Sequence, residues 1–174
     1  HPRLVGAGAA PGSLDGAAIT VGGSGKILHL DMDDTEPRVG VRTGPCVCRL
    51  PGALQPNIER RFVCRQVNVE VVRASQPFTG DCAEGEVLSI PVKHTTGRYY
   101  APPEVLESLE ARGQILLRYA HDGNPNGSSN DIAGVRNADG NVFGLMPHPE
   151  HAVDPLTGSI DGLRIFTSMA HAHG

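Results

Sequence analysis

The chain has 174 residues, which is enough for one domain with a packed core. Its 15 basic and 19 acidic residues give a formal net charge of -4, and no basic cluster reverses that balance. Nucleic-acid binding through phosphate contacts is therefore not expected. No apolar run approaches the roughly 18 residues of a membrane span, and the first residues lack the pattern of a secretory signal. Residue 1 is His rather than Met, which is typical of a fragment or a processed chain.

The first third of the chain is predicted to build a core poorly. Residues 1–57 contain no aromatic residue but ten glycines and six prolines, and both of these residue types weaken helices and strands. Two short strands are nevertheless predicted, AAITV at 17–21 and RVGVR at 38–42. The Gly-rich run at 22–26 is interpreted as a loop, because it lacks the spacing of a phosphate-binding motif.

The four cysteines are interpreted as free thiols of a cytoplasmic protein. Their spacing matches no disulfide framework of a small secreted domain. Two of them form only a C-x-C pair, without the second pair that would complete a zinc site, so no metal site is predicted. These residues are Cys46, Cys48, Cys64 and Cys82.

From residue 62 onward the pattern is that of a mixed α/β domain rich in strands. Five segments have the alternating or apolar pattern of strands, and the last two are separated by a short turn that predicts a hairpin. These segments are 63–71, 87–92, 114–120, 131–137 and 141–146.

Two helices are predicted, over residues 101–113 and 161–172. The first starts with two prolines, which suit a first turn, and ends at Gly113. Each helix has an apolar stripe that is expected to face the core. The residues of these stripes are Val105, Leu106 and Leu109 in the first helix, and Leu163, Ile165, Phe166 and Met169 in the second.

The segment PHPE at 147–150 is the strongest candidate for a site. Each proline pushes the residue before it, Met146 or His148, out of the helical region, so the backbone is predicted to be extended and stiff. His148 and Glu150 are two residues apart and are expected to point the same way. A carboxylate at one imidazole nitrogen leaves the other nitrogen free to act as a base. The alternative is a rigid surface turn whose polar side chains are merely solvated.

The stretch VFGLMPHPEHAVDPLTGSIDGLRIF at 142–166 resembles the C-terminal signature of class I glutamine amidotransferases. Earlier stretches make the chain more narrowly similar to the glutaminase subunits of phosphoribosylformylglycinamidine synthase, over about Leu50 to Met169. These stretches are LPGALQPN at 50–57, RRFVCRQVNVEV at 60–71, RYYAP at 98–102 and NPNGSSNDIAGVRNADGNV at 124–142.

The resemblance implies an α/β fold with the three-layer, flavodoxin-like sheet of these amidotransferases. It divides a single domain into a divergent or incomplete Gly/Pro-rich segment, 1–49, and the amidotransferase C-terminal region, 50–174. It also implies a Cys-His-Glu triad, in which His148 matches the general base and Glu150 its orienting carboxylate. His151, which follows the pair, is expected to be exposed.

Cys46 is the candidate nucleophile, because Gly44-Pro45-Cys46 matches the first half of the G-x-C-x-G turn of the family. Cys48 stands where the second glycine belongs, and no room remains for the helix that follows this turn in relatives. Cys46 as an accidental thiol is therefore kept as an alternative, and a frameshift or fusion near residue 50 is one hypothesis for the change. A second departure is His94-Thr95-Thr96-Gly97, where relatives read His-Gly-Glu-Gly, and His94 is interpreted as a structural loop residue.

The function implied by the resemblance is glutamine hydrolysis to glutamate and ammonia, for the ATP-dependent conversion of formylglycinamide ribonucleotide to formylglycinamidine ribonucleotide in de novo purine biosynthesis. The implied partners are a large synthetase subunit and a small adaptor subunit, with glutamine as the substrate. No cofactor is expected in this chain, and ATP and magnesium are expected on the synthetase. A catalytically inactive amidotransferase-like binding subunit, without a working cysteine, is the alternative.

Overall fold

The computed structural model describes residues 17–20, 31–33, 36–38, 50–120 and 123–172. This part of the chain contains ten strands, two α-helices and three short 3-10 turns. The strands are β1 (Ala17–Thr20), β2 (Asp31–Asp33), β3 (Glu36–Arg38), β4 (Ala53–Gln55), β5 (Val63–Val71), β6 (Val87–His94), β7 (Arg98–Tyr100), β8 (Ile115–Tyr119), β9 (Ile132–Arg136) and β10 (Val142–Leu145). The helices are α1 (Pro103–Ala111) and α2 (Leu163–His171).

Six of the strands form one sheet in the order β1-β10-β9-β8-β5-β6, and each neighbouring pair is antiparallel. Two further pairs, β2-β3 and β4-β7, form small ribbons. The predicted strands from residue 63 onward are confirmed, as is the hairpin of β9 and β10. β1 confirms the strand predicted at 17–21, whereas most of the strand predicted at 38–42 lies outside the described residues.

The hairpin of β5 and β6 shows why the alternating pattern produces strands. Val67, Val69 and Val71 are buried, while the residues between them are exposed. In β6 the buried positions also alternate, and the last inward position is taken by His94 rather than by an apolar residue. Because side chains of a strand alternate between its faces, one face of this hairpin enters the core and the other does not.

The two helices pack against separate apolar clusters. Leu109 of α1 is buried in one cluster, and Val105 and Leu106 pack against it as predicted. Ile165 of α2 is buried in the other cluster, against which Met169 packs. Neither helix of the described chain, each nine residues long, has the length and apolarity needed to cross a bilayer.

The prediction that Leu163 of α2 faces the core is wrong, because Leu163 is 39 % exposed. Residues two positions apart on an α-helix point in nearly opposite directions, at about 200°. Since Ile165 is completely buried, Leu163 has to face outward. Phe166, which neighbours Ile165, is only partly buried.

The sheet curls, which brings the end of β10 to the outer edge of β6. The N–H of Met146 donates to the carbonyl of Ala133 in β9 at 2.9 Å, and the N–H of His148 donates to the carbonyl of Pro91 in β6 at 2.8 Å. Across a flat sheet β9 and β6 would lie about 14 Å apart. Since Met146 and His148, which make these two bonds, are only two residues apart, the sheet must bend so that β9 and β6 approach each other.

The segment after β10 also covers the open edge of β6. The backbone N–H of Ser89 donates to the carboxylate of Asp161 at 2.8 Å. Together with the bond from His148 to Pro91, this contact satisfies backbone groups of an edge strand that would otherwise face solvent. The PHPE segment is therefore held directly against β6.

Candidate active site

The backbone at the PHPE segment is extended and then turns sharply. His148 has φ -95° and ψ 90°, as predicted from the proline that follows it. Pro149–His151 then forms a 3-10 turn. The N–H of His151 donates to the carbonyl of His148 at 3.1 Å, and the N–H of Ala152 donates to that of Pro149 at 3.0 Å.

This turn brings His148 and Glu150 together, with 2.6 Å between Nδ1 of the histidine and Oε1 of the glutamate. The contact agrees with the predicted pairing, but its geometric cause is different. The two side chains meet because the backbone reverses over Pro149–His151, not because they share one face of a strand. His148 is also buried, with 8 % exposure, and is not part of a solvated surface turn.

The turn is packed closely onto the start of α2 at Gly162. A Cβ atom at this position would lie 2.1 Å from the carbonyl oxygen of Pro149 and 2.8 Å from that of Ala152. Only glycine leaves enough room for these backbone oxygens. Gly162 therefore helps to determine where the turn, and with it Glu150, can lie.

Electrostatics decide which nitrogen of His148 carries the proton. Burial would raise the pKa of Glu150, but the hydrogen bond from His148 and the charge of that imidazole outweigh it, so the pKa lies below its ordinary value. The carboxylate is therefore ionised at neutral pH and accepts a hydrogen bond from Nδ1–H of His148. In the neutral imidazole the lone pair is then on Nε2.

A second histidine, His94, contacts that lone pair. It was predicted to be a structural loop residue but is the last residue of β6. Nδ1 of His94 lies 3.2 Å from Nε2 of His148. The two rings are inclined by 30°, and their centroids are 4.9 Å apart. The nitrogen expected to be free is thus engaged by His94. The alternation of inward residues in β6, continued two residues beyond Val92, is the signal that could have found His94.

His94 is 1 % exposed and is held in place by Asn57. The side chain of Asn57 donates to the carbonyl of His94 at 2.8 Å and accepts from the N–H of Gly97 at 2.8 Å. A Cβ at Gly97 would lie 2.6 Å from Cδ2 of His94 and 2.6 Å from the side-chain nitrogen of Asn126. The loop after β6 is therefore closely packed around the His94 ring.

Beside His148 lies a cleft of about 200 Å³, and His151 lines it from the solvent side. The side chain of His151 is 46 % exposed, as expected, and its Nε2 is 3.7 Å from Oε1 of Glu150. Nζ of Lys93 lies 3.4 Å from the same nitrogen. The cleft is lined by Cys64, Pro91, Val92, Lys93, His148, His151 and Thr157.

Within the described residues, three side chains are close enough to share a metal ion. The donor atoms of His148, Glu150 and His151 all lie within 4.8 Å of one another. This group was not identified from the sequence. The positive charge of Lys93 beside His151 opposes a cation there, so the arrangement fits a hydrogen-bonded acid-base pair better than a metal centre.

The predicted nucleophile, Cys46, lies outside the described residues, as does Cys48. The structure brings together His148 and Glu150 and leaves the third predicted member of the triad unplaced. Among the described residues Cys64 and Cys82 are free thiols, the first exposed and the second buried.

A family described as the CobB/CobQ-like glutamine amidotransferase domain matches residues 49–168. The phosphoribosylformylglycinamidine synthase subunit PurQ of Rubrobacter xylanophilus is 56% identical over 120 residues, which are 69% of this chain and 54% of that protein. The PurQ subunit of Rhizobium meliloti is 51% identical over 119 residues, which are 68% of this chain and 53% of that protein.

A solved structure gives the same result for the fold. A chain in the structure of PurLQS from Thermotoga maritima matches with a TM-score of 0.63 and 42% identity, over 72% of this chain and 54% of that chain. The α/β fold of class I glutamine amidotransferases, predicted from the resemblance, is confirmed. The chain spans about half the length of the curated relatives it matches. Because the family match covers residues 49–168, well over half of the 174 residues, this chain belongs to the CobB/CobQ-like glutamine amidotransferase family.

Proposed function

We propose that the chain is a glutaminase subunit that hydrolyses glutamine to glutamate and ammonia. The observation that carries the proposal is the 2.6 Å contact between Nδ1 of His148 and Oε1 of Glu150, made inside a closely packed turn of an amidotransferase fold. An imidazole oriented by an ionised carboxylate is the acid-base half of a cysteine-dependent triad.

The proposed chemistry assigns one task to each residue. Nε2 of His148 takes the proton of a cysteine thiol, and the thiolate attacks the side-chain amide carbon of glutamine. His148 returns the same proton to the departing nitrogen, which leaves as ammonia. The cysteine and the glutamine side chain are then joined in a thioester. His148 then activates water to release glutamate, while Glu150 stabilises the imidazolium that forms in each step. Cys46 remains the candidate for the thiol.

The pathway and partners are part of the same proposal. The curated relatives are named as subunits of phosphoribosylformylglycinamidine synthase, and the structural match comes from a structure of PurLQS. We extend this to ammonia supply for the ATP-dependent conversion of formylglycinamide ribonucleotide to formylglycinamidine ribonucleotide in purine biosynthesis. A large synthetase and a small adaptor subunit would be the partners, with ATP and magnesium on the synthetase. A cytoplasmic location stays a prediction from the cysteine pattern.

Ammonia release from glutamine, with and without the synthetase and adaptor subunits, tests the proposal. Cys46→Ala should abolish release, and Cys48→Ala, two residues away, is the matched control that should retain it. Loss in both variants would contradict a specific role for Cys46. Ammonia release that survives Cys46→Ala would show that Cys46 is not the nucleophile. Cys64, which lines the cleft beside His148, would then be the next cysteine to substitute.

A second function is favoured by the sequence around Cys46. Cys48 replaces the second glycine of the nucleophile turn, and no helix-length segment follows before LPGAL at 50–54. A chain that binds the synthetase without hydrolysing glutamine would have this pattern. It would co-elute with the synthetase in gel filtration, release no ammonia, and be unaffected by Cys46→Ala.

A further inference from the structure

The contact between His94 and His148 has a defined hydrogen-bond direction. Nδ1 of His148 is occupied, because its N–H donates a hydrogen bond to the ionised carboxylate of Glu150. In the neutral form of the ring, which is the form that can act as a base, Nε2 can only accept. The atom that faces it at 3.2 Å, Nδ1 of His94, must therefore be the donor.

The two stacked rings bring one nitrogen of each within hydrogen-bond distance. The two nitrogens are 3.2 Å apart, whereas the ring centroids are 4.9 Å apart and the ring planes are inclined by 30°. The contact is also buried, since the exposed fractions are 1 % for His94 and 8 % for His148. Water therefore competes little for either nitrogen, which strengthens a hydrogen bond between them.

We propose that His94 donates its Nδ1–H to Nε2 of His148 and covers the lone pair that the base needs. His94 is then a positioning residue that keeps Nε2 of His148 inaccessible to a thiol until the two rings separate. The inference rests on the proposed role of His148 as a base. While the hydrogen bond is made, Nε2 cannot accept a thiol proton, so deprotonation of the nucleophile has to follow separation of the two nitrogens.

The surroundings of His94 explain how such a contact is maintained. Asn57 binds the backbone on both sides of the loop, at His94 and at Gly97. Gly97 itself lies so close to the His94 ring that even a methyl group would collide with it. The ring of His94 therefore has little freedom to move away unless the loop moves with it.

Two substitutions separate the hydrogen bond from the packing. His94→Phe keeps an aromatic ring against His148 but has no donor. His94→Asn keeps an N–H close to the position of Nδ1 and has no ring. If the hydrogen bond matters, the phenylalanine variant should free the lone pair and the asparagine variant should not.

The first measurement is nitrogen-15 NMR of the unsubstituted protein. A through-hydrogen-bond coupling between Nδ1 of His94 and Nε2 of His148, with the proton on Nδ1 of His94, is the expected result. Absence of the coupling, or a proton found on Nε2 of His148, would overturn the proposal. This measurement needs no variant, so it remains decisive if a substitution at the buried position prevents folding.

The second measurement is the rate at which diethyl pyrocarbonate acylates His148, followed by mass spectrometry. His94→Phe should raise this rate roughly three- to tenfold, the factor that corresponds to loss of one typical hydrogen bond. His94→Asn should leave it near the original value, and His151 on the same peptide is the internal reference. Equal rates in all three proteins would overturn the proposal. Both measurements are independent of glutamine turnover, so a chain that releases no ammonia still gives a result for His94.

Discussion

Two segments meet at the site, and each holds its histidine in a different way. In the PHPE segment, His148 is restrained by the two prolines beside it and by a 3-10 turn. At the end of β6, His94 is restrained by Asn57, which is 37 residues away from it in the chain. The first restraint is local and covalent, and the second is made of hydrogen bonds between distant parts of the chain. The comparison teaches that similar rigidity can be visible in a sequence at one position and invisible at another.

The largest expected effect comes from removing the histidine of the PHPE segment. Glutamine turnover in His148→Ala should fall by roughly 10²–10⁴-fold, because the proton-transfer group is lost. His151→Ala is the matched control, since this neighbouring and half-exposed imidazole should leave turnover nearly unchanged. Ammonia release is the measurement, and equal losses in both variants would contradict the assignment of the base.

The same variant also tests the burial of His148. Because the ring is buried and contacts His94, His148→Ala should lower the free energy of unfolding by about 1–2 kcal/mol. A surface imidazole would produce almost no change. Urea unfolding followed by circular dichroism distinguishes these outcomes and shows that the loss of turnover occurs in a folded protein.

The next effect concerns the long-range restraint on His94. Asn57→Ala removes bonds to the backbone of Arg61, His94 and Gly97 in a site where Asn57 is 1 % exposed. Buried backbone groups are left without these partners, so the free energy of unfolding should fall by about 3 kcal/mol. Asn68→Ala, on the exposed face of β5, is the control and should change stability by less than about 0.5 kcal/mol.

A smaller effect is expected where the PHPE segment rests on α2. Gly162→Ala places a methyl group against the carbonyl oxygens of Pro149 and Ala152, so the turn has to shift. The free energy of unfolding should fall by about 1–3 kcal/mol, as in other overpacked sites. Gly123→Ala is the control, because its nearest neighbour would be an ordinary 3.5 Å away. Equal melting temperatures for the two variants would show that the turn is not confined by α2.

The smallest effect is electrostatic and depends on pH. The pKa of Glu150 is lowered in the folded protein from its ordinary value of 4.5, so folding favours the ionised carboxylate. Its contribution to stability is therefore fully present above that value and is lost as the pH falls through the folded pKa. Wild type should exceed Glu150→Gln in free energy of unfolding by less than about 1 kcal/mol near pH 7, and the difference should shrink as the pH falls below 4.5. A difference that grew in acid would have the wrong sign.

Glu150→Gln should also lower turnover, but less than His148→Ala does. The glutamate orients the imidazole and stabilises its charge without transferring the proton itself. If the two variants lost the same activity, Glu150 would have a role beyond orientation. The turnover lost in each variant therefore shows how much His148 and Glu150 each contribute to catalysis.

Much of the fold could be predicted because its signals are local. The alternation of valines in β5, the proline start of α1 and the hairpin of β9 and β10 all depend on residues near one another in the chain. Leu163 was misplaced for a related reason. An apolar residue at a helix start fits a stripe by composition, but only the packing of Ile165 decides which way the helix is turned.

By itself, the sequence determined that the backbone at His148 would be extended, because a proline restricts the residue before it. It predicted that Glu150 lies beside His148, but the 3-10 turn that joins them was not part of that prediction. It also carried the family signature over residues 49–168. Only the tertiary structure decided that His148 is buried and that His94 occupies its second nitrogen, because that contact joins residues 54 positions apart. The curling of the sheet and the hydrogen bonds of Asn57 bring the two histidines together. Neither can be recognised from residues that are neighbours in the sequence.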